Sequence, residues 1–165
     1  MTVVSSHRDP ERLTLAITSE FAAPPTRVWQ VWEDAQQLSR WWGPPTWPAT
    51  FTRHDFAVDG RSHYYMTGPE GEHAYGAWKV NDLEAPHRLE FTDAFANADG
   101  EFLDDPAPMR IEVSIEDGGP GSRMTVTTHF SSLEHLQQVA DMGMEEGMTL
   151  ALGQIDDLLA ERASV

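Results

Sequence analysis

Pro24-Pro25-Thr26-Arg27-Val28-Trp29-Gln30-Val31-Trp32, followed by Leu38-Ser39-Arg40-Trp41-Trp42-Gly43-Pro44, is the stretch that decides how this chain folds. Indole is large and costly to immobilise, so Trp32, Trp41 and Trp42 must together cover something apolar. Both prolines suit a first helical turn, where a missing N–H does no harm, and Val28, Trp29, Val31 and Trp32 recur at helical spacing. Asp34 is a good N-cap with Gln37 three residues on, which predicts a second short helix that stops at Gly43-Pro44. Upstream, Leu13, Leu15, Ile17 and Phe21 alternate with Arg12, Thr14, Thr18 and Glu20, the two-residue beat of a half-buried strand. The N-terminal part therefore reads strand, helix, helix.

Downstream the pattern is strands joined by turns. Thr50 to Phe56, Arg61 to Thr67, His73 to Leu83, Arg88 to Phe95, Met109 to Glu116 and Arg123 to Phe130 are the expected strands. They are separated by turn sequences such as Asp59-Gly60, Gly68-Pro69-Glu70-Gly71 and Asp117-Gly118-Gly119-Pro120-Gly121, so consecutive strands should be antiparallel neighbours. A long loop is expected from Asn97 to Pro108, including Asp99, Asp104 and Asp105. Ile111, Val113 and Ile115, then Met124, Val126, Thr128 and Phe130, give the sheet an apolar face that needs a cover. Ser131 with Glu134 reads as a capping box. From there to about Arg162, Leu136, Val139, Met144, Met148, Leu152, Ile155 and Leu158 or Leu159 form a helical stripe. Gly143, Gly147 and Gly153 weaken a helix interior, so a kink is expected near Gly143 to Gly147, with a short helix running into a longer one.

The 165 residues suit one domain, read as a short polar lead over 1–10 and a single domain over 11–162. Cysteine is absent, which removes disulfides, thiolate chemistry and cysteine-ligated metal. No segment approaches the ~18 uninterrupted apolar residues of a membrane span, and the N-terminus has no signal-like apolar run. The expectation is a soluble cytoplasmic protein without membrane insertion. Asp and Glu number 27 against 11 Lys and Arg, a formal charge of −16 that repels a phosphate backbone and argues against nucleic acid as a partner. An acidic surface of this kind chiefly keeps a chain soluble.

Assembled, these elements make an α+β domain in which a curved seven-stranded antiparallel sheet wraps a long C-terminal helix, with two short helices after the first strand. The segments Pro25 to Trp32 and Leu38 to Pro44 resemble the N-terminal signature of the activator of Hsp90 ATPase homologue (AHSA-type) family, within the START-like or SRPBCC superfamily. Asp55, Gly60-Arg61, Met66, Gly68-Pro69-Glu70-Gly71, Gly76, Pro86-His87-Arg88-Leu89-Glu90-Phe91-Thr92 and Gly147 with Leu152, Ile155 and Leu158 extend the likeness over about residues 12 to 160. The resemblance implies the helix-grip fold, whose sheet and helix enclose a cavity for apolar molecules. The chain departs from the family pattern at Asp59, where glycine is usual, at Ser62, where a bulky residue is usual, and at Met148, where tryptophan is common. Ser62 and Met148 would shrink or soften the groups that fill the interior.

On the family pattern, Ser62, Tyr64 and Met66 face inward. Trp78, Phe91 and Phe95 stand beside them, Trp41 and Trp42 lie near the mouth or beneath the helix, Trp32 is a further cavity residue, and Met144, Met148 and Leu152 approach from the helix. Such walls, apolar with one or two polar anchors, suit a small apolar or aromatic ligand. No catalytic residues, metal or cofactor are assigned: the histidines show no helical zinc spacing, and no nucleophile elbow, phosphate loop or dinucleotide fingerprint occurs. His54 and Asp55 form at most one end of a polar patch. Tyr64, Asp93 and Glu112 are the candidates should the cavity host cyclase or hydrolase chemistry. A co-chaperone role is the other alternative, and a homodimer through a sheet edge or apolar face is compatible with the pattern.

Overall fold

Pro24 occupies the N-cap of α1 (Pro25–Glu33), with Pro25 in its first turn, and the helix buries Val28, Trp29, Val31 and Trp32 on one side. Asp34 then separates it from α2 (Ala35–Trp41): its carboxylate accepts the Gln36 backbone N–H at 2.9 Å and the Gln37 side-chain amide at 3.0 Å. Both helices thus begin where the local chemistry dictates. The computed structural model describes residues 3–104 and 107–163, so Asp105 of the expected long loop lies outside the described residues.

The strands are β1 (Val3–Asp9), β2 (Thr14–Phe21), β3 (Ala49–His54), β4 (Arg61–Thr67), β5 (His73–Glu84), β6 (Arg88–Phe95), β7 (Met109–Gly118) and β8 (Gly121–His129). They form one antiparallel sheet in the order β1-β2-β8-β7-β6-β5-β4-β3. The sheet therefore has eight strands where seven were expected. The extra one is the segment read as a polar lead, which pairs with β2 from Ser5↔Thr18 to Asp9↔Thr14. Ser5 to Arg8 are exposed, so this edge strand is held by backbone pairing and leaves no apolar alternation to read. Leu13, expected in the first strand, instead sits in the β1–β2 connection with φ +57° and accepts the Phe130 N–H through its carbonyl.

The concave face collects Leu15, Ile17 and Phe21 of β2, Leu89 and Phe91 of β6, Ile111, Val113 and Ile115 of β7, and Met124 and Val126 of β8, all buried. Asp59, before Gly60, has φ +66°, the left-handed conformation that glycine adopts without cost and aspartate tolerates. A glycine would take this backbone without strain, and aspartate is one of the few other residues that visit it, so the departure from glycine at this position is tolerated.

The covering helix comes in three pieces: α3 (Leu133–Asp141), α4 (Met144–Gly153) and α5 (Ile155–Ala163). Ser132, one residue later than expected, is the N-cap of α3 and accepts the His135 N–H at 3.0 Å. Gly143, at φ +83°, makes the expected break between α3 and α4, and Gln154 makes a second before α5. α5 packs on α1 and returns the chain to the helices that began the fold.

Candidate functional site

The Trp41-Trp42-Gly43-Pro44 turn divides the concave face into a filled end and a hollow one. Gly43 has no alternative here, because a Cβ would stand 2.1 Å from the Trp47 carbonyl oxygen. Gln154 donates to the Gly43 carbonyl at 2.7 Å and ties the α4–α5 junction to the turn. Trp41 donates its indole N–H to the Val31 carbonyl at 2.9 Å, which locks it between α1 and α2.

At the filled end Trp32 meets Trp41 edge-on at 4.7 Å, and Trp78 stacks on Phe91 at 4.0 Å. Trp32, Trp41, Trp78, Phe91 and Leu152 are fully buried. Each was expected to line a ligand cavity; each is instead buried in the core, where the three indoles and the Phe91 ring pack against one another and against Trp42. Ser62, expected as a cavity residue, is also fully buried. Its hydroxyl lies 2.7 Å from His54 Nδ1, while His54 Nε2 donates to the Trp32 carbonyl at 2.9 Å. The small residue at position 62 makes room for that imidazole. Burial holds the His54 pKa below the usual histidine value, against the raising effect of its bond to Trp32.

The hollow end lies one inward-facing pair further along the same strands. A cavity of about 210 Å³ is bounded there by Tyr64 and Met66 of β4, Phe95 of β6, and Met144 and Met148 of α4, five of the expected residues. Trp42, Pro44, Asp93, Met109, Val139, Met142 and Gly147 also line it. Of these, Trp42 and Asp93 stood in the sequence as a tryptophan near the mouth and as a candidate acid. Met109 is legible only through strand register, since it pairs with Asp93 across β6 and β7.

Polar chemistry in this cavity is concentrated in one pair. The Tyr64 hydroxyl donates to Asp93 Oδ1 at 2.9 Å, and both residues are buried. Burial pushes the Asp93 carboxyl up to about 7, opposed by the hydrogen bonds it receives from Tyr64 and from the Ala94 backbone. Burial, reinforced by the neighbouring Asp93 charge, likewise drives the Tyr64 phenol well above its ordinary value. Gly76 allows the arrangement: a Cβ there would fall 2.2 Å from the Tyr64 ring, so the ring lies flat across the β5 backbone. Glu112, the third candidate acid, faces away from the cavity. Burial tends to raise its pKa, but Arg110 at 2.7 Å and His129 at 2.6 Å hold it below the ordinary glutamate value. Asp55, beside His54 in sequence, is engaged by exposed Arg53 at 2.7 Å.

The family described as activator of Hsp90 ATPase homolog 1-like protein matches residues 22–160. A solution structure of a protein from Arthrobacter aurescens is 49% identical over 97% of this chain and 93% of its own, with a TM-score of 0.93. A crystal structure of a Mycobacterium smegmatis protein is 42% identical over 97% of this chain and 99% of its own, with a TM-score of 0.88. An AHSA1 protein from Silicibacter pomeroyi, 22% identical over 90% of this chain and 99% of its own, shares the fold with a TM-score of 0.72. No protein of curated function matches the chain. No helix among the described residues is long and apolar enough to cross a membrane. With the family's segment spanning everything from the end of β2 to α5, and with the helix-grip arrangement of sheet and helices, this chain belongs to the activator of Hsp90 ATPase homolog 1-like family.

Proposed function

We propose that this protein is a cytoplasmic carrier or sensor that binds a small apolar or aromatic molecule in the cavity between the sheet and the α3–α4 cover. The observation that carries the reading is an apolar hollow of about 210 Å³ with a buried polar pair, Tyr64–Asp93, on its wall and half-buried Tyr75 beside it. A dry cavity of about 150 Å³ accommodates one benzene, and drug-sized ligands occupy roughly 300–1,000 Å³. The guest is therefore about one ring with a short substituent. Methionines at 66, 109, 142, 144 and 148 give the wall an adaptable lining that suits a guest of irregular outline.

Met148 marks the test. Indole at this position would occupy the cavity from the α4 side, so Met148→Trp should lower affinity at least about tenfold while the protein stays folded. Native mass spectrometry of freshly purified protein identifies the guest, and calorimetry on the folded variant measures the loss. Unchanged affinity would remove the cavity as the binding site.

The buried Asp93, poised near neutrality, favours a second reading in which the same cavity catalyses proton transfer on its guest. Turnover of the bound molecule, lost in Asp93→Asn, distinguishes an enzyme from a carrier.

A further inference from the structure

The two polar groups bonded to Asp93 both donate to it. Tyr64 gives its hydroxyl proton to Oδ1 at 2.9 Å, and the Ala94 backbone N–H supplies a second donor. The Trp42 indole N–H lies beside the Tyr64 hydroxyl and has no acceptor in bonding geometry. The Asp93 carboxylate accepts both of the bonds from Tyr64 and Ala94, and the Tyr64 hydroxyl oxygen is the one group in this shell that could accept a proton from the neutral acid. What the shell lacks is a positive charge. β5 offers Trp78 and β7 offers Met109 as the cross-strand neighbours of Asp93, β5 also brings Tyr75 to the cavity wall, and the helices offer Val139, Met142, Met144 and Met148. None of these carries charge. The two carboxylates of α4 near the cavity are turned away: Glu145 binds Ser6 and Arg8 on β1, and Glu146 is exposed.

We propose that the cavity is selective for small lipophilic amines, an apolar or aromatic body held among Trp42, Tyr64, Phe95 and the methionines with its protonated nitrogen on the Asp93 carboxylate. This rests on the cavity being the binding site, and it adds the chemical class of the guest. An ammonium supplies the missing countercharge, forms a charge-assisted hydrogen bond to the carboxylate and is attracted by the faces and polarisable groups of the lining. The formal charge of −16 on the chain raises the local concentration of cations and repels anionic guests. Carboxylic acids of the same size are excluded on both counts.

Three isosteric probes separate the possibilities: 2-phenylethylamine, 2-phenylethanol and phenylacetate, titrated by NMR into the full chain. At about pH 8, where Asp93 is charged in the folded protein, the amine should bind roughly tenfold or more tighter than the alcohol, and phenylacetate weakest of all. Between about pH 8 and pH 6 the amine stays protonated while Asp93 takes up its proton, so amine affinity should fall and alcohol affinity should not. Asp93→Asn, checked for folding by circular dichroism, should keep alcohol binding and lose the preference for the amine; the pH comparison on the unmodified protein stands even if that variant does not fold. Alcohol binding as tight as amine binding, or an amine preference that persists in Asp93→Asn, would overturn the amine assignment and leave the cavity reading intact. Failure of all three probes to bind would remove both.

Discussion

Asp93 holds a carboxyl in a wall otherwise made of aromatic rings and thioethers, and the protein bears the cost. In the unfolded chain this group titrates near the ordinary aspartate value of about 3.9, whereas in the folded protein burial raises it to about 7. Between those two pH values the folded state binds the extra proton, so stability falls as pH rises through the window. A shift of this size corresponds to roughly 4 kcal/mol, most of it regained by acidification. Asp93→Asn keeps an acceptor for Tyr64 without the charge. It should raise the melting temperature at about pH 8, with the advantage shrinking toward about pH 4; a difference that does not vary with pH would show that folding does not raise the Asp93 pKa. Residue type and the family pattern of inward positions marked Tyr64 and Asp93 as candidates together with Glu112, which the fold turns outward. They placed Ser62 inward as well but did not identify its partner, because its burial against His54 depends on an imidazole arriving from β3.

At the level of the element, α4 is unusual among the covering helices. Gly143 enters it in the left-handed conformation, and a Cβ added at Gly147 or Gly153 meets nothing within 4 Å, so neither of the latter two glycines is required by close packing. What holds α4 over the cavity includes Glu145, bonded to the Ser6 hydroxyl at 2.7 Å and to Arg8 at 3.0 Å, in a partly exposed pair worth at most about 1 kcal/mol. Gly147→Ala should therefore stabilise the helix by up to about 1 kcal/mol, read as a higher melting temperature and slower amide exchange across Met144 to Gly153. A lower melting temperature would mean that another backbone approaches Gly147 in solution. The break at Gly143 was visible in the sequence as clustered glycines. The break at Gln154 was not, since its amide is drawn to the Trp41 and Gly43 carbonyls, which lie far off along the chain.

For the whole molecule, the decisive feature is how the aromatic side chains share the concave face. Trp32, Trp41, Trp42, Trp78 and Phe91 form one edge-on and stacked cluster, and the cavity begins where that cluster ends at Trp42 and Tyr64. At the opposite edge of the sheet, β1 covers β2 and carries the residues that hold Glu145. Deleting residues 1–9 should expose the β2 edge and release α4 together, destabilising the protein by about 1–3 kcal/mol. It should also promote association through the uncovered strand, detected by light scattering at rising concentration. A truncated protein with unchanged stability and association state would reduce β1 to a dispensable addition.

The sequence by itself determined the α+β architecture, the order of the two short helices and seven of the eight strands, and the helical cover, because periodicity, prolines and caps act over a few residues. It also carried the family, through motifs that recur in order along most of the chain. Only the tertiary structure decided which inward-facing side chains close on one another and which leave space. Neighbours on the same strand, such as Ser62 and Tyr64 or Phe91 and Asp93, obey the same alternation and differ only in what approaches from α1, α2 and α4. That difference is one of packing between distant segments, and no local pattern encodes it.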